Sequence, residues 1–326
     1  MTEQSSYLNR PAVISIILGS FFVFTLPFSI FALLQAQPAD FARASFIFFL
    51  VLGSTHFLVT FAFFMQNQNL RHFYSSATNK IIYFLIPALI FFAFNSYHRM
   101  QVAVFHPQFD FWFVSGIRFF NFYHFGRQSF GVMQLFKRRA GLNFPAKFES
   151  AYFNILILLL MTTFLSGGYL VSPWLLLVPG VLLLGIIKSY LKVGSAAIFP
   201  LTYLLLQSIS AGFAVYSTAL YIFALGMHYV EYQVLMYPRV FSTTLETTGI
   251  DRIYSVFRSS KWVFYLVLLM AAAVFSITAQ SAGDAAASGT SLSLFDALFV
   301  FHFFIESFVW KFSNPYYRKQ LQQLYF

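Results

Sequence analysis

Asn121-Phe122-Tyr123-His124-Phe125-Gly126-Arg127-Gln128 lies inside a long aromatic and apolar run that ends at the basic cluster Lys137-Arg138-Arg139. A run of this length is sufficient to cross a hydrocarbon core about 30 Å thick as a helix. His124, and Gln128 one turn after it, are therefore polar groups set at membrane depth, where such residues are costly and usually mark a function.

The rest of the chain supports a membrane reading. Of its 326 residues 59% are hydrophobic and 9% charged, a balance too apolar for a soluble globule of this size. Apolar stretches predict spans at roughly 11–34, 43–65, 80–97, 109–136, 150–171, 174–191, 196–214, 216–237, 261–280 and 291–312. The expected fold is an all-α, polytopic integral membrane helical bundle of about ten transmembrane helices, eight at the least, forming a single transmembrane domain over 1–326. The first run, 11–34, reads as a retained helix, because no cleavage pattern follows it. The region 196–237 contains no polar loop, only Ser210-Ala211-Gly212, and is consistent with a tight helical hairpin or with one broken helix.

The net charge of +10 suggests nucleic acid at first sight, but position decides its meaning. With the N-terminus placed in the cytoplasm, seventeen of the twenty Lys and Arg fall at or towards the inside, and only Arg43, Arg99 and Arg118 towards the outside. Both termini are thus expected in the cytoplasm, the expected location is a bacterial inner membrane, and the nucleic-acid reading is dropped. The inner connection 238–260 carries Glu246, Asp251, Arg252 and Arg258, a mixture suited to an interfacial helix lying along the headgroups. The outer loops, Gln35 to Ala42, His98 to Gln108 and Ser281 to Thr290, are too short to fold by themselves.

In this topology four histidines fall at one depth. His56, His124, His228 and His302 lie about eleven to fifteen residues into four helices that run from outside to inside, which at 1.5 Å per residue agrees to within roughly 6 Å. Gln128 follows His124 by four residues, Glu231 follows His228 by three, and Glu306 follows His302 by four, so each pair shares a helix face. Any one of these histidines is readily explained by a helix–helix hydrogen bond. The common layer and the matched partners point instead to a metal site, since histidine and carboxylate from different helices are the donors of metal centres in helical bundles.

With no cysteine, a metal must be held by histidine, carboxylate, carbonyl or water, and covalently attached haem and iron–sulfur clusters are excluded. Imidazoles with one or two carboxylates suit iron first and zinc second. The expected metal residues are His56, His124, His228, His302, Glu231 and Glu306, with Glu231, Glu306 and Gln128 as catalytic candidates; Gln128 would position a metal-bound water or oxygen. With iron, such a site activates oxygen against a lipophilic small molecule drawn from the bilayer, by hydroxylation, desaturation or cleavage of a double bond. With zinc, Glu231 or Glu306 would act as general base in hydrolysis of a lipid amide or ester. The same residues also suit a proton-coupled transporter, and paired histidines alone would suit b-type haem.

The remaining polar residues carry smaller expectations: an Arg118–Asp296 pair, Asn95 and Asn121 beside site histidines, Tyr123, Tyr229 and Tyr232 as pocket lining, and His72, His98 and His106 at the surfaces. The 47 phenylalanines read chiefly as packing and lipid contact. The histidine boxes of the membrane fatty-acid desaturases and hydroxylases are absent, because no two histidines lie within five residues of each other. A few intramembrane histidines on separate helices are broadly similar to the plan of the membrane-embedded carotenoid-cleaving enzymes that make retinal. That resemblance is one of architecture and transfers no residue.

Overall fold

The computed structural model describes residues 7–34, 37–103, 106–142, 146–241, 248–282, 289–311 and 313–325. In chain order the helices are α1 Pro11–Leu34, α2 Pro38–Phe64, α3 Asn67–Tyr74, α4 Ala77–Met100, α5 Pro107–Arg139, α6 Lys147–Leu165, α7 Pro173–Leu191 and α8 Gly194–Tyr216. They continue with α9 Gly226–Val240, α10 Gly249–Phe257, α11 Lys261–Ala282, α12 Gly289–Val309 and α13 Pro315–Tyr325. The protein is all-helical, with no strand among the described residues.

Six of these helices, α1, α2, α4, α6, α7 and α8, are long and apolar enough to cross a membrane, and the pair Gly249–Phe257 and Lys261–Val274, bent by 116°, offers a seventh. The ten-span expectation therefore exceeds what length and apolarity support. Two of the remaining predicted spans, α5 and α9, carry His124 with Gln128 and His228 with Glu231, and these polar residues lower their hydropathy. Between α8 and α9 the chain breaks at Ser217 into the 3-10 turn Thr218–Leu220 and the short helix Tyr221–Ala224, so 196–237 is divided between two separate helices rather than forming one continuous helix.

Helix irregularities have local causes. Wide π turns occur at Phe21–Thr25 in α1 and Ile81–Leu85 in α4, each followed two residues later by a proline, Pro27 or Pro87, that cannot donate to the carbonyl four residues back. A third wide turn, Phe49–Ser54 in α2, has no proline; there the Thr55 hydroxyl donates to the Val51 carbonyl at 2.6 Å and lies 3.2 Å from that of Leu52. Single π turns are frequently found at functional positions, and this one ends two residues before His56.

The chain divides into two compact units. Unit 1 comprises Met1–Phe46, Arg118–Val234 and Lys319–Phe326. Within it α6 packs on α7 and α8, and α1 packs on α8. Gly126 on α5 permits close approach to α6: a Cβ there would lie 2.6 Å from Ile157 Cγ1. Lys137, the first residue of the basic cluster, is buried in this unit and donates to Glu149 Oε1 at 2.7 Å, which also accepts from the Tyr190 hydroxyl at 3.1 Å.

Unit 2 comprises Ile47–Ile117 and Leu235–Arg318. Within it α12 packs along α4 and against α2 and α11. Arg239 is almost wholly buried, its guanidinium over the rings of Phe63 at 4.3 Å and Trp310 at 5.1 Å and bonded to the Val309 carbonyl at 3.2 Å. This places π faces and a backbone carbonyl beside a buried cation. His72 stacks on Tyr316 at 3.8 Å, and burial pushes its imidazole below the usual histidine range.

In both units the outward faces are aliphatic, for example Val181 and Leu184 on α7 and Leu266 and Met270 on α11. Exposed Trp112, Trp174 and Trp262 sit at helix beginnings, as in the aromatic belts of membrane proteins.

The buried Lys137–Glu149 pair generates a stability prediction. Lys137→Met, which strands a buried carboxylate, should cost about 3–5 kcal/mol. The double variant Lys137→Met/Glu149→Gln, which keeps an acceptor for Tyr190, should recover more than half of that in detergent unfolding; no recovery would contradict the pairing.

Candidate metal centre

Unit 2 brings together three of the sequence-predicted donors. His56 on α2 and His302 on α12 are completely buried, with ring centroids 4.5 Å apart. Glu306, one turn beyond His302, places Oε1 3.4 Å from His302 Nε2. One ligand atom from each of His56, His302 and Glu306 lies within 4.8 Å of the others. Two donors bound at about 2.0–2.2 Å to one ion are about 3–3.5 Å apart, so the His302–Glu306 separation suits coordination.

The orientation of His302 is set from α2. The Thr60 hydroxyl, one turn after His56 on the same face, lies 2.7 Å from His302 Nδ1. With Nδ1 protonated and donating to this oxygen, Nε2 presents its lone pair on the side of Glu306, the outer-shell arrangement that fixes tautomer and ring angle in metal-binding histidines. Phe57 packs edge-on against His302 at 4.9 Å and closes that side with hydrocarbon. A buried group of two imidazoles and a carboxylate of this kind can bind a metal ion; its composition does not by itself distinguish iron from zinc.

Unit 1 brings together the other four candidates. His124 on α5 and His228 on α9 are buried, with ring centroids 5.1 Å apart and planes at 89°. Glu231 is fully buried, and its carboxylate accepts from three neutral side chains: Gln128 Nε2 to Oε1 at 3.2 Å, and the Tyr203 hydroxyl at 2.7 Å and Gln207 Nε2 at 3.1 Å to Oε2. Gln128 Nε2 also reaches the His228 carbonyl at 3.3 Å, so its amide hydrogens are directed at the protein. His228 Nδ1 is 3.9 Å from Glu231 Oε1, beyond hydrogen-bond range.

The start of α9 is anchored immediately before His228. The Met227 backbone N–H, in the first turn of α9, donates to the Thr25 hydroxyl of α1 at 2.9 Å. The π turn of α1 ends at Thr25, so a local distortion in the first helix helps fix a histidine some two hundred residues later.

Thr25, Thr60, Tyr203 and Gln207 are positioning residues that the sequence pattern did not single out. Tyr203 and Gln207 had a visible signal: they are four residues apart on the largely apolar α8 and so share a face. Thr60 had the same relation to His56. Thr25, a lone hydroxyl in a phenylalanine-rich run, had none.

Several smaller expectations change. Asp296 takes His98 as its partner, at 2.9 Å, because α12 lies along α4. Asn121 Oδ1 accepts from the Tyr221 hydroxyl at 3.1 Å. Tyr229 and Tyr232 are buried, whereas Tyr123 is 46% exposed on the outer face of α5 and lines no interior space.

Tyr203→Phe removes the shortest of the three bonds to Glu231 in an apolar interior and should lower stability by about 1–3 kcal/mol. Thermal unfolding in detergent measures this, and an unchanged midpoint would show that the bond does not support the fold. No protein-family model, curated protein or solved structure matches this chain, so the chemistry of the centre is read from its own residues.

Proposed function

We propose that the chain is a membrane-embedded, metal-dependent enzyme, a non-haem iron oxygenase acting on a lipophilic substrate, with His56, His302 and Glu306 as metal ligands. The observation that carries this reading is the buried convergence of two imidazoles and one carboxylate from α2 and α12. Two histidines and one carboxylate are the donor types used by iron(II) oxygenases, and three protein donors would leave positions on the ion open. An iron ion in such a site supplies activation of oxygen towards a C–H or C=C bond.

The protein's own residues prepare this chemistry. Thr60 holds the His302 ring in the orientation that faces Nε2 to Glu306. Phe57 excludes water from that side of the ring. The Glu306 carboxylate and two neutral imidazoles leave a divalent ion with one net positive charge, which favours retention of an anionic or polarisable further ligand. Cleavage of a carbon–carbon double bond into two carbonyl groups consumes both atoms of O2 and needs no added electrons. Hydroxylation or desaturation needs two electrons and two protons from a separate donor.

The aliphatic outer faces of α7 and α11 support a bilayer setting, from which both oxygen and a lipophilic substrate arrive by partition. We place both termini in the cytoplasm, in a bacterial inner membrane, on the seventeen-to-three distribution of basic residues. On the same basis the polar helices α5, α9 and α12 are counted as spans in addition to the apolar ones.

Gently solubilised protein should carry about one iron per chain. His56→Ala, His302→Ala and Glu306→Ala should each abolish its retention while the protein still elutes as a folded species. Thr60→Val should weaken metal affinity by about 10–100-fold, and Thr60→Ser should retain it. Two ions per chain would assign a second to His124 and His228. Stoichiometric zinc would replace the oxygenase by a lipid hydrolase, a strong Soret band would replace it by a b-haem protein, and metal-free protein that moves a substrate against a gradient would end the enzyme reading.

A further inference from the structure

The helices α10 and α11 supply none of the three donors, yet α11 reaches the turn of α2 from which His56 is presented. The pair is bent by 116°. An aromatic cluster holds the bend: Phe264, near the start of α11, is almost wholly buried and packs against Phe257 and Tyr254 of α10 at 5.7 and 6.1 Å and against Phe241 at 4.9 Å. The other end of α10 is tied to α3. There the Asn67 backbone N–H donates to Asp251 Oδ1 at 3.0 Å, and its side-chain amide donates to the Thr248 carbonyl at 2.9 Å.

Tyr265 follows Phe264, and its hydroxyl donates to the Val51 carbonyl at 2.9 Å, inside the wide turn Phe49–Ser54. The same carbonyl accepts from the Thr55 hydroxyl at 2.6 Å. The Thr55 backbone N–H bonds to the Leu52 carbonyl, three residues back, where a regular helix would direct it four back, to Val51. The wide turn thus presents a carbonyl to side chains, and two hydroxyls meet it. Thr55 moves with the turn that it bonds, whereas Tyr265 belongs to a helix packed alongside. Of the two, Tyr265 is the one that fixes the turn against a neighbour. One added residue in a turn rotates the rest of the helix by about 100°, and His56 stands two residues beyond this turn, so its face depends on the turn being kept.

We infer that Tyr265 is a positioning residue for His56: its hydroxyl, bonded to the Val51 carbonyl, keeps the wide turn of α2 in place and with it the His56 ring beside His302. The bent pair α10 and α11 is the anchor from which Tyr265 does this. The consequence for metal binding rests on the proposed function; the effect on the turn is read without any metal.

The test compares Tyr265→Phe with Tyr316→Phe in the detergent-solubilised full chain. Tyr316 is a matched control in the same unit, since its hydroxyl donates to Asn69 Oδ1 at 2.7 Å, away from α2's wide turn. Amide hydrogen exchange is measured on chelator-treated protein, and Co2+, whose visible bands report its ligands, is then titrated in. Tyr265→Phe should speed exchange over 51–56 about 5–10-fold, the worth of one hydrogen bond, weaken Co2+ binding by a similar factor and shift its bands. Tyr316→Phe should leave all three as in the parent protein. Unchanged exchange over 51–56 in Tyr265→Phe, or an equal change in Tyr316→Phe, would overturn the inference. So would faster exchange with Co2+ affinity and bands unchanged, because the turn would then not govern His56. Parent protein that binds neither Co2+ nor iron, with exchange responding as expected, would overturn the proposed function and leave Tyr265 as the residue that holds the turn.

Discussion

The structure depends on how carboxylates are kept inside apolar helices. A carboxylate at the centre of a membrane helix costs about 2.5–3.5 kcal/mol even by the mildest scale, so each must be offset locally. Glu231 is offset by neutral donors: Tyr203, Gln207 and Gln128 place three hydrogen bonds on its two oxygens. Glu149 is offset by a cation, Lys137, together with a phenol. Glu306 groups with two imidazoles, with His302 Nε2 3.4 Å away, surroundings that could hold a metal ion. These three glutamates thus have three different environments, and of the three it is Glu306 that groups with two histidines able to hold a metal ion.

The helices that present these groups are bent where presentation requires it. The wide turn of α2 ends just before His56, and the wide turn of α1 ends at Thr25, which caps α9 beside His228. A regular helix would direct Thr25 and His56 to other faces, since each added residue in a turn rotates the remainder of the helix by about 100°. Gly126 contributes in the same direction by letting α5 approach α6 one half-turn beyond His124. Positioning in this protein is therefore done as much by backbone irregularity as by hydrogen bonds.

Much of this was legible in the sequence, for a physical reason. Polar residues at membrane depth are rare enough that depth alone selects His56, His124, His228, His302, Glu231 and Glu306, and all six are buried in the structure. Depth gives no angle around the bundle, so the pairing of His56 with His302 and of His124 with His228 was not accessible from it. The same blindness to angle produced the expectation that Asp296 would meet Arg118, when α12 runs beside α4 and His98. Hydropathy located the apolar spans well; length and apolarity support six or seven of the ten expected, because helices that carry the polar residues, such as α5 and α9, score low by their own content. The break at Ser217 was marked only by an absence of polar loop residues, which is compatible with several backbones.

In the proposed function two imidazoles and one carboxylate from α2 and α12 hold a single metal ion. The most direct measurement is X-ray absorption of the purified protein at the metal edge. The expected result is an iron edge with a first shell of nitrogen and oxygen at about 2.0–2.2 Å and the multiple-scattering signature of two imidazoles. A shell of four equivalent pyrrole nitrogens, a first shell without imidazole, or no metal edge at all would contradict it.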